Sequence, residues 1–455
     1  MPKIFRTYDI RGIYPNEFNE EDAGIIAEAF FQYLNENEMS KNIVVGHDGR
    51  LSSEKIAKAV VDGLINSGAK VKDIKLSTTP LLNFAIAHYK EDAGIMITAS
   101  HNPPEYNGMK LIGKNALQYY YKNGISRVET IYNNLRRGSE EFCSKKGSAS
   151  DLHKKVLNDY INRIIKFYDP GSVKREFAVD FLNGVGSVTA KPFFDRMHLR
   201  PKLLHQKIDG NFPNGLPNPM EEKNLEVLKS EVLNNDLDFG VAFDGDADRL
   251  ALIDEHGRLV PADFLFGLLM LEELKRGDGT VYVDLRFSRG VIEVLKEHGA
   301  NVQVLRVGNP FYKEALYDDS NAIGAAELSG HIMFKENYGI DDGLFSLIKL
   351  LNITTKYDKR ISDMLMPFYR YYRSGEINFK LDNDSKAERI ISALKKRYKD
   401  GEQITIDGLK VNYESWWFSV RKSNTEPLLR LIVEAKSKRE LNEKVDEITE
   451  IINKG

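Results

Sequence analysis

In this 455-residue chain the architecture is plainest around Gly94-Ile95-Met96-Ile97-Thr98-Ala99-Ser100-His101-Asn102-Pro103-Pro104. A short apolar run reads as a buried strand, and polar residues follow it at once. Two prolines, with Asn107-Gly108 just beyond, predict irregular backbone as far as Lys110. Working back from the strand, residues 81–89 read as a helix and 71–76 as a strand. Residues 53–66 place Ile56, Ala59, Val60, Gly63 and Leu64 on one helical face. Ile43-Val44-Val45 is another short strand, and residues 22–34 another helix. Strands alternating with helices predict a mostly parallel sheet covered on both faces. Ligands bind such sheets beyond the carboxyl ends of the strands, so chemistry is expected in the segments that follow strands.

Towards the C-terminus the rhythm restarts twice. Phe177-Ala178-Val179 opens a second unit, which passes through a helix near 222–234 to a strand over 239–243. A third unit opens after Asp254, with a helix over 262–274, strands over 281–283 and 302–304, and a helix near 290–298. No repeat of residues accompanies the rhythm. The tail from 368 differs, mixing short strands such as 428–433 with charged helices near 385–399 and 438–453. At about 150 residues per domain, the length allows three or four domains. The class is α/β, with a polar linker over 136–150 and a second break at Met366-Pro367.

Composition narrows the function. Hydrophobic residues are 42% and charged residues 29%, as in an ordinary globular protein. A net charge of −3 gives no general attraction to nucleic acid or anionic membrane. Cys143 is the single cysteine, so there is no disulfide framework, and a reducing compartment is expected. The N-terminal residues lack the apolar core of a signal peptide, and the strongest apolar run, 264–271, is too short to span a bilayer. These features predict a cytoplasmic protein without nucleic-acid or membrane partners.

Four loops carry candidate chemistry. In the first, Ser100 beside His101 is a possible nucleophile. The motif Gly-x-Ser-x-Gly is absent, which argues against a hydrolase elbow. The second is Asp244-Gly245-Asp246-Ala247-Asp248-Arg249. Like charges at 4 Å repel by about 1 kcal/mol in water and about 4 kcal/mol at an effective dielectric near 20. A hard divalent cation offsets that repulsion, and oxygen ligands suit Mg²⁺ or Ca²⁺. An EF-hand is excluded, because Arg249 stands where the loop needs glycine. The third loop, Glu327-Leu328-Ser329-Gly330-His331, offers partners for sugar hydroxyls. The fourth, Arg421-Lys422-Ser423-Asn424-Thr425-Glu426-Pro427, offers cations, hydroxyls and backbone N–H groups to a phosphate. Thr7-Tyr8-Asp9-Ile10-Arg11-Gly12 adds an arginine at a turn. Asn183-Gly184-Val185-Gly186 lacks the third glycine of a dinucleotide fingerprint and reads as a tight turn. Cation, nucleophile and anion clamp together are the parts that phosphoryl transfer needs.

In this combination the loops resemble the α-D-phosphohexomutases, most closely the bacterial phosphomannomutase/phosphoglucomutase branch. The resemblance covers the whole chain, with the loops in the family's order. It implies three related α/β domains with mixed, mostly parallel sheets and a smaller α+β C-terminal domain around a central cleft. The expected domains are 1–145 with the phosphoserine, 146–255 with the metal, 256–367 with the sugar loop, and 368–455 with the distal phosphate clamp. Ser100 would carry the phosphoryl group, and Asp244, Asp246 and Asp248 would bind Mg²⁺ with an oxygen on Ser100. Arg11, Lys110 and Arg249 would sit by the transferring phosphate, with His101 beside the serine and Lys110 as a candidate acid/base. Tyr8, Arg286, Asn309, Glu327, Ser329 and His331 would contact substrate. Arg421, Ser423, Asn424 and Thr425 would grip the phosphate that is not reacting. The implied activity interconverts hexose 1- and 6-phosphates of mannose, glucose or both through a hexose 1,6-bisphosphate, in a monomer or weak homodimer. Three positions depart from the branch: Ala326 replaces a glycine, Arg286 a lysine and Asn309 a histidine. Asn309 cannot act as a general acid or base. Rival readings are a phosphoglucosamine mutase, a Mg²⁺-dependent phosphatase with an aspartate nucleophile, and a non-catalytic sugar-phosphate binder.

Overall fold

The computed structural model describes residues 4–38, 41–138, 146–381, 384–423 and 428–454. Its first sheet orders the strands Ile10–Ile13, Tyr106–Gly113, Ala93–Ile97, Asn42–His47, Lys70–Leu76 and Ser148–Asp151. The last four run parallel; Tyr106–Gly113 pairs antiparallel with Ala93–Ile97, and Ile10–Ile13 pairs antiparallel with Tyr106–Gly113. The second sheet orders Leu259–Val260, Leu250–Asp254, Phe239–Phe243, Phe177–Asp180 and Lys202–Leu204, the last three parallel. The third orders Ala300–Leu305, Gly279–Asp284, Ala322–Ala326 and Ile332–Phe334, with the final pair antiparallel.

One arrangement recurs in all three sheets. A strand that pairs parallel on one side turns straight back into an antiparallel neighbour. Ala93–Ile97 returns as Tyr106–Gly113, Phe239–Phe243 as Leu250–Asp254, and Ala322–Ala326 as Ile332–Phe334. The three turns are the loops of Ser100, of the three aspartates, and of Glu327 to His331. Each contains a left-handed residue: Ser100 at φ 47°, Ala247 at φ 63° and Gly330 at φ 93°. The repeat that residue identities do not show is therefore a repeat of topology. The fourth sheet is antiparallel throughout, and the remaining loop joins its strands Trp416–Lys422 and Leu428–Ala435.

Local chemistry sets the elements. Every residue of Ala93–Ile97 and of Phe239–Phe243 is buried, as strands covered on both faces require. Asn19 and Asp22 close a capping box at the start of Glu20–Glu36. Thr78 caps Thr79–Tyr89, with Pro80 in its first turn. One apolar core runs from Val44 through to Phe368 and ties the first three sheets together. The fourth sheet has its own core, from Leu381 to Ile452.

Two sequence expectations need correction. Irregular backbone stops at Glu105, because Tyr106–Gly113 pairs with both Ile10–Ile13 and Ala93–Ile97. Ladder hydrogen bonds on both edges outweigh the turn preference of Asn107-Gly108. The linker over 136–150 also ends early, since Ser148–Asp151 pairs with Lys70–Leu76 as an edge strand. Cys143 lies outside the described residues. The helices Ile125–Arg136 and His153–Ile164 were not read from the sequence either.

Candidate active site

The serine and aspartate loops meet at Ser100. Its Oγ lies 2.9 Å from Asp244 Oδ2 and 3.3 Å from His101 Nδ1, and the residue is 2% exposed. A left-handed backbone costs a non-glycine residue about 1–2 kcal/mol, so it persists where the surroundings fix it. Ser100 N–H donates to Thr98 Oγ1 at 2.8 Å, which in turn donates to Asp48 Oδ2 at 2.7 Å. Arg50 donates four hydrogen bonds to carbonyls of the same loop. Gly245 is needed between the aspartates because a Cβ there would strike the Ser100 carbonyl oxygen.

Asp244, Asp246 and Asp248 are fully buried, and one oxygen from each falls within 4.8 Å of the others. Lys110 lies between two of them, with Nζ 2.6 Å from Asp246 Oδ2 and 2.7 Å from Asp248 Oδ2. Thr79 Oγ1 donates to Asp246 Oδ2 at 2.5 Å. Burial, then repulsion from Asp248 and Asp246, holds the Asp244 carboxyl well above its usual range. Burial and neighbouring carboxylates oppose the charge on Asp246 and Asp248, yet both are lowered, Asp246 by Lys110 and the Thr79 hydroxyl, Asp248 chiefly by Lys110. Lys110 is raised: burial works against its charge, but Asp246, Asp248 and Asp341 prevail. It is therefore a firmly held ammonium. Burial, then Arg249 and Arg11, push the His101 imidazole well below its usual value. Asp246 Oδ1 and Asp248 Oδ1 are buried without a hydrogen-bond partner. Unpartnered hard oxygens on converging carboxylates fit a divalent cation of the Mg²⁺ kind.

The third loop joins through Arg249. Its Nε donates to His331 Nε2 at 3.1 Å, and Leu250 N–H reaches the Gly330 carbonyl at 3.4 Å. Because that ring nitrogen accepts, the other carries the proton, and His331 Nδ1 faces Asp341 Oδ2 at 3.1 Å. Asn309 Nδ2 donates to the same Asp341 oxygen at 2.6 Å, which leaves Asn309 Oδ1 buried and without a partner. Lys313 pairs with Asp341 Oδ1 at 2.7 Å. Ser329 Oγ is also buried without a hydrogen-bond partner. Arg286 is clamped to Asp284 and lies 3.9 Å from Glu327.

Two other expected residues sit at the margins of this cluster. Arg11 donates to Asn102 Oδ1 at 2.5 Å, beside the serine loop. Tyr8 OH donates to the Val307 carbonyl at 2.8 Å, and burial, then Glu327, push its phenol up to about 12. Arg421 stands apart from the aspartates. Its Nε is 3.4 Å from Asp407 Oδ2, which also accepts from Val307 N–H at 3.1 Å. Ser423 is 3% exposed, and its N–H bonds the Leu428 carbonyl at 2.8 Å. Asn424 and Thr425 lie outside the described residues.

The sequence reading missed Asp48, Arg50, Asp341 and Asp407. Asp48-Gly49-Arg50 follows the strand Asn42–His47, so the rule that points to strand ends would have found it. Asp341 precedes Asp342, the cap of helix Gly343–Lys356, and an acidic pair before a helix reads as a cap only.

Comparison with known proteins agrees with the geometry. The sequence patterns of phosphoglucomutase/phosphomannomutase alpha/beta/alpha domains I, II and III match residues 2–138, 158–257 and 262–372. That of the C-terminal domain matches 376–451. A phosphomannomutase/phosphoglucomutase of Pseudomonas syringae pv. tomato is 35% identical, over 96% of this chain and 92% of its own length. A phosphomannomutase of Methanocaldococcus jannaschii is 32% identical, over 99% and 98%. The crystal structure of a phosphoglucomutase/phosphomannomutase family protein from Burkholderia thailandensis superposes with a TM-score of 0.87 at 30% identity, covering 99% of this chain and 97% of that one.

Proposed function

The chain belongs to the phosphoglucomutase/phosphomannomutase family, and we propose the route by which it moves phosphate between the two ends of a hexose. It is an enzyme of phosphate transfer within a sugar. Ser100 carries the phosphoryl group and passes it to the free hydroxyl of a hexose monophosphate, giving a 1,6-bisphosphate. The bisphosphate turns over in the cleft and returns its other phosphoryl group to Ser100 Oγ.

Asp244, Asp246 and Asp248, with an oxygen on Ser100, would hold Mg²⁺, which when bound neutralises charge on the transferring group. The other roles fall to this chain's own side chains. Lys110, a held ammonium, donates to phosphoryl oxygens. Arg11 and Arg249 lend positive charge. His101 and Asp244 are the acceptors within reach of the Ser100 hydroxyl proton. Glu327 and Ser329 read sugar hydroxyls, and Asn309 and His331 line the same side. Arg421, Ser423, Asn424 and Thr425 grip the distal phosphate in either orientation of the ligand. Contacts to O3 and O4 do not separate glucose from mannose, which differ at C2, so both are expected substrates. Domain bounds of 1–145, 146–255, 256–367 and 368–455 belong to this reading. So does a cytoplasmic monomer or weak homodimer acting on small phosphosugars, without nucleic-acid or membrane partners. Among the described residues, no helix is long and apolar enough to cross a membrane.

The observation that carries the reading is the 2.9 Å contact of Ser100 Oγ with a buried aspartate whose two companions keep unpartnered oxygens. A coupled assay with Mg²⁺ and a 1,6-bisphosphate activator tests it on glucose, mannose and glucosamine 1-phosphates. Comparable turnover on the first two is expected. Mannose activity below about a thousandth of glucose activity contradicts the dual reading, because a difference that large needs a contact at C2. Preference for the amino sugar turns the assignment to a phosphoglucosamine mutase.

A further inference from the structure

Arg50 lies in the first unit, just beyond the strand Asn42–His47, and none of the roles above uses it. Its side chain is 0% exposed. Nη2 donates to the carbonyls of Ser100 at 2.8 Å and Asn102 at 2.6 Å. Nη1 donates to those of Pro103 at 2.7 Å and Tyr106 at 2.9 Å. One planar fork therefore gathers both ends and the middle of the serine loop. Asp48 aims the fork and the loop together. Its Oδ1 accepts from Arg50 N–H at 3.0 Å, its Oδ2 lies 3.3 Å from Arg50 Nε, and the same Oδ2 accepts from Thr98, which holds the Ser100 N–H.

The second unit closes over the other side of this fork. The Phe212 ring centroid is 5.1 Å from the guanidinium carbon. A Cβ on Gly210 would lie 2.8 Å from Arg50 Cα, and one on Gly49 would strike Ile208. The Ser100 carbonyl oxygen is thus held between Arg50 and Gly245 of the aspartate loop. The guanidinium registers the serine on one unit against the carboxylates on the next.

We propose that Arg50 is the positioning residue of the phosphoryl-carrying serine, setting Ser100 Oγ against Asp244 without touching the sugar. The proposal rests on the reading of Ser100 as the phosphoryl carrier. A lysine keeps the charge, but its ammonium cannot serve four carbonyls in one plane. Displacing a reacting group by about 1 Å costs roughly 10²-fold in rate.

The test uses the full chain with Mg²⁺, as wild type, Arg50→Lys and Phe212→Leu. Single-turnover transfer from glucose 1,6-bisphosphate to Ser100 is followed by quench and phosphopeptide quantification. The dissociation constant of glucose 1-phosphate is measured by calorimetry. We expect transfer slower by roughly 10²-fold in Arg50→Lys and by several-fold in Phe212→Leu, with affinity within about twofold of wild type in both. Transfer within about twofold of wild type in a folded Arg50→Lys overturns the proposal, as does a loss of affinity that matches the loss of rate. Should Arg50→Lys not fold, Phe212→Leu decides by the same criteria. An unlabelled Ser100 in the wild type removes the reading of Ser100 and the proposal with it. A labelled wild type with an equally fast variant removes the proposal alone.

Discussion

At Ser100 two aspartates share the Lys110 ammonium, and four hydrogen bonds from Arg50 hold the loop. At Arg421 one carboxylate, Asp407, joins the guanidinium to the Val307 N–H of the neighbouring unit. The cores differ in the same way. The serine, aspartate and sugar loops stand on sheets that share one apolar core, whereas Arg421 stands on a sheet with its own. Transfer chemistry needs fixed distances between nucleophile, carboxylates and phosphate. The clamp proposed for the non-reacting phosphate must take a ligand in two orientations and release it, which suits a body with its own core.

Substitution and chelation separate the two ends. The largest effect is expected at the reacting end, where Ser100→Ala lowers kcat by at least about 10⁴-fold and leaves phosphosugar affinity nearly unchanged. Steady-state kinetics with binding by calorimetry check both halves. Chelating divalent cations comes next, with a loss of at least about 10²-fold that Mg²⁺ restores. At the gripping end, Arg421→Ala is expected to act mainly on KM, raising it by about 10²-fold, since a charge-assisted phosphate contact is lost in ground and transition states alike. A fall in kcat as large as that of Ser100→Ala would erase the distinction between the two ends.

The smallest effect concerns how the fourth unit rests on the third. Lys410 is buried, with Nζ 2.7 Å from the Leu285 carbonyl and 3.9 Å from the Trp417 ring centroid. Burial pulls its pKa down to about 7, against the attraction of Glu434. The unfolded chain therefore binds more protons than the folded one between about pH 7 and the usual lysine value. Stability from this group is complete above that value and is lost as pH falls towards 7. Denaturation from pH 7 to 9 should show stability rising by on the order of 1 kcal/mol per pH unit, and Lys410→Met should flatten the slope. An unchanged slope would mean that the ammonium is not dried at this junction.

Much of the fold was legible because burial on both faces leaves a plain trace. The strands over 93–97 and 239–243 are continuous apolar runs that end abruptly in polar loops, and those loops hold Ser100 and the three aspartates. Tyr106–Gly113 was not legible, because Asn107-Gly108 favours a turn and only pairing on both edges overrides it. Ser148–Asp151 is exposed throughout and pairs on one edge, so it carries no apolar signal. The side chains that aim the site were hidden for another reason. Arg50 lies 50 residues from Ser100, and Asp341 lies 32 from Asn309. Their roles arise where separate loops meet, which no local spacing encodes. Asn309 illustrates the point. From sequence it marked only a missing histidine, whereas in the structure Asp341 fixes its amide and leaves its carbonyl oxygen buried without a hydrogen-bond partner.

The most direct test of the account is peptide mass spectrometry after incubation with Mg²⁺ and glucose 1,6-bisphosphate carrying isotope-labelled phosphoryl groups, followed by a chase with unlabelled glucose 1-phosphate. The account predicts one phosphoryl group, on Ser100, whose label the chase carries into glucose 6-phosphate and replaces with unlabelled phosphate. A phosphoryl group on Asp244 with Ser100 unlabelled, or full turnover in Ser100→Ala, would contradict it.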